Sequence, residues 1–171
     1  MVKPVESNNK SDTEVLFPER VYTAEEIQLA QRLISQGYKH KLKVVGSDVF
    51  RKKVERILGL IRVAGYQDFF RTYIRSVVEI EGIGQLREYE ATIWANAHNV
   101  DDPVEGARFL VQKAYQMKSY LEAKPYHEYG ETVAIQKSLE FLEDLKNRCE
   151  DDDLKGKCEK ALKVWRDYGP M

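Results

Sequence analysis

The hydrophobic residues between positions 104 and 124 recur at the spacing of an amphipathic α-helix. They form a stripe with offsets of four, seven and eleven residues, which predicts a long helix with one buried face: Leu110, Ala114, Met117 and Leu121. A second row beside this stripe carries two amides, Gln112 and Gln116, which lie one helical turn apart and point the same way. We expect the rest of the chain to be arranged around this central helix.

The segments before the central helix alternate between helix and strand patterns. Thr23, with Glu26 three residues later, forms a capping box, and this first helix is predicted to end before Gly37. The β-branched residues of 40–46 predict a short strand. A serine and an aspartate then cap a second predicted helix over about 47–64.

The other strands of the sheet are predicted between residues 65 and 100. A short helix after Gly65 leads into a strand over 76–80, and the two glycines of 81–85 predict a hairpin turn. Residues 87–100 alternate and give the clearest strand pattern of the chain. One face of this strand carries Glu90, Thr92, Trp94, Asn96 and His98, and the other carries Tyr89, Ala91, Ile93, Ala95 and Ala97.

Two further helices, over about 131–148 and 154–168, are predicted in the last third of the chain. Together these elements predict the α+β class, as a helix-rich single domain over residues 20–171. In this domain a small sheet packs against the central helix, and a C-terminal helical hairpin follows. Residues 1–19 are polar and aperiodic, so we expect a disordered tail there.

Composition limits the classes of function. The chain is 43% hydrophobic and 32% charged, and its net charge of −1 gives no bulk electrostatic argument for binding nucleic acid. The densest basic run, at 51–56, is interpreted as the solvated face of the second helix. No apolar run approaches the roughly 20 residues of a membrane span, and the first residues lack the apolar core of a signal peptide. We therefore expect a cytoplasmic protein without a membrane span, although a secretory signal already removed would leave no trace.

Two cysteines, Cys149 and Cys158, bracket an acidic loop at the expected turn between the last two helices. A helical hairpin brings such positions within reach of each other, so a disulfide is one possibility. A pair of reduced thiols is the other, and it is the usual state in a cytosolic protein.

The order of the elements and the local sequence around the central helix resemble the zincin-like metallopeptidase fold, in its gluzincin branch. The resemblance covers roughly residues 40–145 and is carried by FLVQKAYQMKSYL at 109–121 and GETVAIQKSLEFL at 130–142. In that family the first helix after the sheet carries the zinc motif H-E-x-x-H. The next helix supplies a glutamate as the third ligand.

Every position of this zinc motif departs from the family pattern. Gln112 and Gln116 replace the two histidines, and Lys113 replaces the catalytic glutamate. Ala134, or its neighbour Ile135, stands where the third ligand is expected. Catalytic zinc requires imidazole and carboxylate ligands with one open position, whereas amides are neutral and an ammonium with a reference pKa of about 10.4 repels a dication. The resemblance therefore implies the fold without zinc, without a cofactor and without catalysis.

The remaining titratable residues offer a weaker catalytic alternative. The three histidines, His40, His98 and His127, are not paired at helical spacing, and only His98 is placed to face Gln112 across a cleft. An active hydrolase that combines His98 with a glutamate of 79–90 is the alternative. Solvated surface positions are the simpler interpretation of these residues.

The function we expect is binding without catalysis. The predicted groove lies between the strand at 89–99 and the central helix, where an extended peptide or protein segment adds to the strand edge through backbone hydrogen bonds. Its predicted lining residues are Trp94, Asn96, His98, Gln112, Lys113, Gln116, Tyr120 and Ala134. Two alternatives stay open: the glutamines are hydrogen-bonded inside a closed core, or the domain is a structural helical module that docks a partner through its tyrosine-rich surface.

Overall fold

Six α-helices and four β-strands make up residues 16–122 and 131–168, the part of the chain that a computed structural model describes. The helices are α1 Ala24–Ser35, α2 Asp48–Val63, α3 Gln67–Tyr73, α4 Pro103–Leu121, α5 Glu131–Arg148 and α6 Asp152–Tyr168. The strands are β1 Lys43–Val45, β2 Ser76–Glu79, β3 Gln85–Arg87 and β4 Thr92–Ala95. This architecture confirms the predicted α+β class and the long central helix, α4.

The four strands form one mixed sheet in the order β1-β2-β4-β3. β1, β2 and β4 are parallel, and β3 is antiparallel to β4. The hairpin predicted at 81–85 is wrong, because the strands on either side of that turn are not neighbours. β4 lies between them, and its pairing with β2 extends over four residues, from Ser76 opposite Thr92 to Glu79 opposite Ala95.

The long strand predicted over 87–100 is shorter in the structure, where only Thr92–Ala95 is extended. Short 3₁₀ turns flank it at Glu88–Glu90 and His98–Val100. The strand ends because Asn96 and Asn99 bond each other reciprocally: each backbone N–H donates to the other's side-chain oxygen at 2.9 Å. Such local side-chain bonds compete with strand pairing, which an alternating sequence pattern alone does not reveal.

The central helix α4 packs against most of the other helices and carries much of the core. Its start is fixed by Asp102, whose carboxylate accepts from the Val104 N–H at 2.9 Å. All four residues of its predicted apolar stripe are buried. At Gly106 a side chain would lie only 2.5 Å from the Ile57 Cδ1 atom, so glycine permits the close approach of α2 and α4.

The ordered domain begins before residue 20. Phe17 is buried, and its ring stacks on Tyr38 at 5.2 Å between centroids and meets the His40 ring edge-on at 4.5 Å. The Arg75 guanidinium donates to the Glu19 carbonyl at 3.0 Å. The tail predicted over 1–19 is therefore too long at its C-terminal end, and residues 1–15 lie outside the described part of the chain.

Cys149 directly follows α5 and Cys158 lies within α6, so most of the acidic loop predicted between them is helical. Both are buried free thiols, so the disulfide alternative is not realised in this structure. Burial raises the pKa of the Cys158 thiol to about 11. None of the helices within the described residues has the length and apolar character that a membrane span requires.

Candidate functional site

Gln112 belongs to a buried polar cluster between α4 and α5. The Arg108 Nη1 atom donates to the Gln112 Oε1 atom at 2.6 Å and to the Ser138 hydroxyl at 3.0 Å. The Ser138 hydroxyl donates in turn to the Ile135 carbonyl at 2.7 Å. Arg108 is 3% exposed, Gln112 8% and Ser138 0%, so these bonds form away from solvent. Gln112 thus follows the closed-core alternative rather than the groove.

The charge of Arg108 is balanced on its other side by Glu105. The guanidinium Nε and Nη2 atoms donate to the Glu105 carboxylate at 3.0 and 2.8 Å. Trp165 of α6 donates its indole N–H to the same carboxylate at 3.0 Å, and its ring centroid lies 3.9 Å from the guanidinium carbon. We call Glu105, Arg108, Gln112, Ser138 and Trp165 the polar cluster.

The residues at the zinc-motif positions do not fit a zinc ion. The Gln112 oxygen is already bonded to a guanidinium, and a dication beside Arg108 would be repelled. Ala134 is buried and offers no ligand atom. Lys113 is half-buried with its ammonium 5.2 Å from the Phe109 ring centroid, and burial lowers the pKa of that ammonium although Glu131 opposes this shift. The donor chemistry therefore supports no metal-dependent step.

The other two helix residues of the predicted groove are also engaged or enclosed. Gln116, also on α4, is buried. The Tyr120 hydroxyl donates to the Val21 carbonyl at 2.6 Å and thereby ties the N-terminal segment to the helix. Burial, together with Tyr89 and Glu88 nearby, raises the pKa of Tyr120 to about 12.

Trp94, the one residue of the predicted groove that lies on β4, points to the opposite face of the sheet from α4. Ile93 and Ala95 are fully buried in the core, so Trp94 between them points away from it. The Trp94 ring is covered instead by the Arg87 guanidinium, whose carbon lies 4.3 Å from the ring centroid. The sheet itself therefore separates Trp94 from Gln112.

The residues that follow β4 and the pairing of both its edges also contradict the predicted groove. The Asn96 side-chain amide donates to the Gly82 carbonyl at 2.9 Å, and His98 is exposed in a 3₁₀ turn. β4 has β2 on one edge and β3 on the other, so neither edge is free for a peptide. The eight residues do not line one groove, because the alternation was identified from sequence but the face that meets α4 was not.

A different concave surface lies at the free edge of β1, between that strand, α2 and α3. It consists of two adjoining depressions of about 450 and 340 Å³ that share Val44, Glu55 and Leu58. We call this surface the β1 trough. Its other lining residues are Lys41, Leu42, Asp48, Arg51, Lys52, Ile61, Arg62, Gln67, Phe70 and Arg71.

The backbone of β1 presents unpaired groups to the β1 trough. The Lys43 N–H donates to the Arg75 carbonyl at 3.1 Å, on the side of β2. Because successive residues of a strand direct their N–H and C=O groups to opposite edges, those of Val44 point to the free edge. Within residues 16–122 and 131–168 no strand pairs with this edge.

Sequence reasoning missed both the polar cluster and the β1 trough. The spacing of Glu105, Arg108 and Gln112, by three and then four residues, was an available signal for a charged ladder on one helix face. The basic run at 51–56 was recognised, but its contribution to a trough depends on the distant residues of β1 and α3.

Among the residues that the structure describes, no hydrogen bond or ion pair joins His98 to a glutamate, as the catalytic alternative would require. His40 is buried beside Tyr38, and burial lowers the pKa of its imidazole to about 3, with Arg75 adding to the shift. His98 is exposed, and His127 lies outside the described residues.

Comparison with known proteins gives no further assignment, since no protein-family model, no curated protein and no solved structure matches this chain.

Proposed function

We propose that this chain is a non-catalytic domain of zincin-like architecture that acts by binding a peptide or another protein. The observation that carries the proposal is the position of Arg108, whose Nη1 atom bonds Gln112 on α4 and Ser138 on α5. The resemblance assigns a zinc ion to the space between these two helices. A permanently charged guanidinium holds the helices together there instead.

The order of elements supports the zincin-like part of the proposal. A sheet is followed by a long helix that carries the motif positions, and the next helix faces it with the third-ligand position, Ala134. The non-catalytic part rests on chemistry. Lys113 replaces a general base with an ammonium, and neither glutamine lowers the pKa of a bound water as a metal site does.

The binding part of the proposal is supported by surfaces outside the predicted groove. The outer face of the sheet carries a row of cross-strand neighbours, Val45, Val78 and Trp94, that does not pack against the core. The free edge of β1 adds unpaired backbone groups. The predicted cytoplasmic location belongs to the same proposal, and the buried free thiols are compatible with a reducing compartment.

Metal analysis and a proteolysis assay on the purified full chain test this proposal. We expect no stoichiometric zinc by elemental analysis, no zinc uptake by calorimetric titration, and no cleavage of a mixed peptide pool read out by mass spectrometry. A protein purified without chelator and without a histidine tag provides the necessary control. One equivalent of tightly held zinc, or cleavage that a chelator abolishes, would overturn the proposal.

A further inference from the structure

We propose that the β1 trough binds an extended acidic segment of a partner protein, which adds to the sheet as a strand beside β1. This inference rests on the proposed function, because it gives the binding domain a site and a partner chemistry. The site lies at the β1 edge of the sheet, whereas the residues of the polar cluster lie on α4, α5 and α6.

The backbone geometry of β1 determines how such a segment is held. The outward N–H and C=O groups of Val44 offer one donor and one acceptor to an incoming strand. The trough runs beside α2, whose 16 residues extend over about 24 Å. An extended segment of about seven residues spans that length.

The floor of the β1 trough is apolar. Leu42 and Val44 contribute from the strand, Leu58 and Ile61 from α2, and Phe70 from α3. Alternate side chains of an added strand point toward this floor, and the others point to the outer face of the sheet. We therefore expect small or branched apolar residues at alternate positions of the partner segment.

The rim of the β1 trough is basic, although the chain has a net charge of −1. Its cations are Lys41, Arg51, Lys52, Arg62 and Arg71, and its carboxylates are Asp48 and Glu55. Arg51 is ion-paired with Asp48. Among the described residues Lys41, Lys52 and Arg62 make no ion pair, so they attract acidic side chains from the partner.

Two other occupants fit the β1 trough less well. Nucleic acid favours exposed aromatic rings on which bases stack, but Phe70, the aromatic ring of the floor, is only 1% exposed. A second copy of this chain would bring two basic edges together, which costs electrostatic free energy. An extended acidic segment pairs with the cations of the rim and forms backbone hydrogen bonds with the free edge of β1.

The test uses the ¹⁵N-labelled full chain and a capped eight-residue peptide that alternates Glu and Val. We expect the amide resonances of Val44 and its neighbours to shift on titration at low salt, and the Val44 amide to gain protection from hydrogen exchange. A Lys-Val peptide of the same length should bind at least about tenfold more weakly. A Glu-Val peptide with methylated amides on the edge that faces β1 should lose binding.

Two variants and one matched control locate the site. Lys41→Glu combined with Arg62→Glu should weaken binding at least about tenfold, mainly because the reversed charge of the rim slows association. Val44→Pro removes the outward N–H while leaving the bonds to β2, a position where an edge strand accepts proline, and should weaken binding without loss of fold. Lys157→Glu combined with Lys160→Glu makes the same charge change on α6 and should leave binding unchanged.

Several outcomes overturn the inference. They are absence of binding at millimolar peptide, equal binding of the Lys-Val peptide, equal effects of the rim and α6 variants, or displacement by a single-stranded oligonucleotide. If deleting residues 1–15 shifts the Val44 resonance without any peptide, the trough belongs to this chain's own N-terminal segment, and an external partner is wrong. Failure here, in a protein that contains no zinc, leaves the proposed function intact, whereas bound zinc overturns that function whatever the peptide does.

Discussion

The Arg108 Nη1 atom lies 2.6 Å from the Gln112 side-chain oxygen, one turn away on the same helix, and both side chains are buried. A charge-assisted bond of this kind is shorter and stronger than one between neutral groups. It also fixes the orientation of the glutamine, because the same Arg108 atom bonds Ser138 on the neighbouring helix. The amide that the sequence placed in a groove is thereby a structural element of the helix interface.

Replacement of Arg108 should destabilise the fold. In Arg108→Ala the buried Gln112 and Ser138 side chains lose their donor, and Trp165 loses its cationic neighbour. We expect the free energy of unfolding to fall by about 2 kcal/mol, within the range for buried polar groups left without a partner. Urea denaturation followed by circular dichroism measures this change.

The control for this experiment is Arg56→Ala, which removes an exposed arginine of α2. That variant should stay within about 0.5 kcal/mol of the parent protein. If both variants have the same stability, the polar cluster does not hold α4 and α5 together.

A designed zinc site tests the zincin-like architecture. Gln112→His, Lys113→Glu, Gln116→His and Ala134→Glu rebuild the motif, and Arg108→Ala added to them should be needed as well, because the guanidinium would otherwise repel the ion. We expect calorimetry to detect zinc binding by the five-residue variant, about 10–100-fold weaker than at a natural site because the surrounding support is missing.

The four-residue variant that keeps Arg108 is the matched control, and it should bind zinc more weakly. Ile135→Glu in place of Ala134→Glu gives a second version of the third ligand. If neither version binds zinc while both remain folded, the zincin-like architecture is wrong.

His40 should make the protein sensitive to mild acid. It is 1% exposed, and its Nε2 atom has no hydrogen-bond partner among the described residues. Burial lowers the pKa of the folded imidazole from 6.5 to about 3. The neutral form is thus favoured in the fold, and the unfolded chain takes up the proton first. Stability contributed by His40 is complete above pH 6.5 and is lost as the pH falls from 6.5 toward 3.

The His40→Gln variant lacks this proton uptake. Its free energy of unfolding should decline less steeply between pH 6.5 and 4, by up to about 1.4 kcal/mol per pH unit. His98→Gln, at an exposed position, should show the slope of the parent. Equal slopes for all three proteins in urea titrations at several pH values would contradict the assignment.

The two cysteines should be unreactive in the native protein. Both thiols are buried, and the raised pKa of Cys158, about 11, keeps that group in its protonated form at neutral pH. We expect a thiol reagent at pH 7.5 to label neither cysteine until urea is added. Ser35→Cys, at an exposed position, provides a reactive reference in the same chain. Labelling of the native parent at the rate of this reference would show that the thiols are accessible.

Local features of this protein were predictable from sequence because their causes lie within one helical turn. The Thr23 and Glu26 side chains form the predicted capping box. Gly37 follows the first helix with a φ of +93°, a conformation that glycine adopts without strain. The apolar stripe of α4 is buried as its spacing indicated, since the helical period can be recognised from residues close together in sequence.

The sheet arrangement was decided by tertiary structure alone. Alternation along β4 identified two faces but not the one that meets α4, so Trp94 was placed on the side of Gln112. Strand pairing also determined which edges are free, and it left β1 rather than β4 open. A pattern with period two specifies neither the partner strand nor the covered face, because both depend on residues far away in sequence.

The chemistry of the candidate site shows the same division. Sequence placed Gln112 and Gln116 on one face of a helix, which is a property of that helix alone. The Arg108 partner of Gln112 lies on the same helix, but the closure of the site depended on Ser138, 30 residues from Arg108, and on Trp165 from the last helix. Packing brought these groups together because a buried guanidinium requires hydrogen-bond acceptors, which α4 and α5 supply, while the Trp165 ring of α6 covers its face.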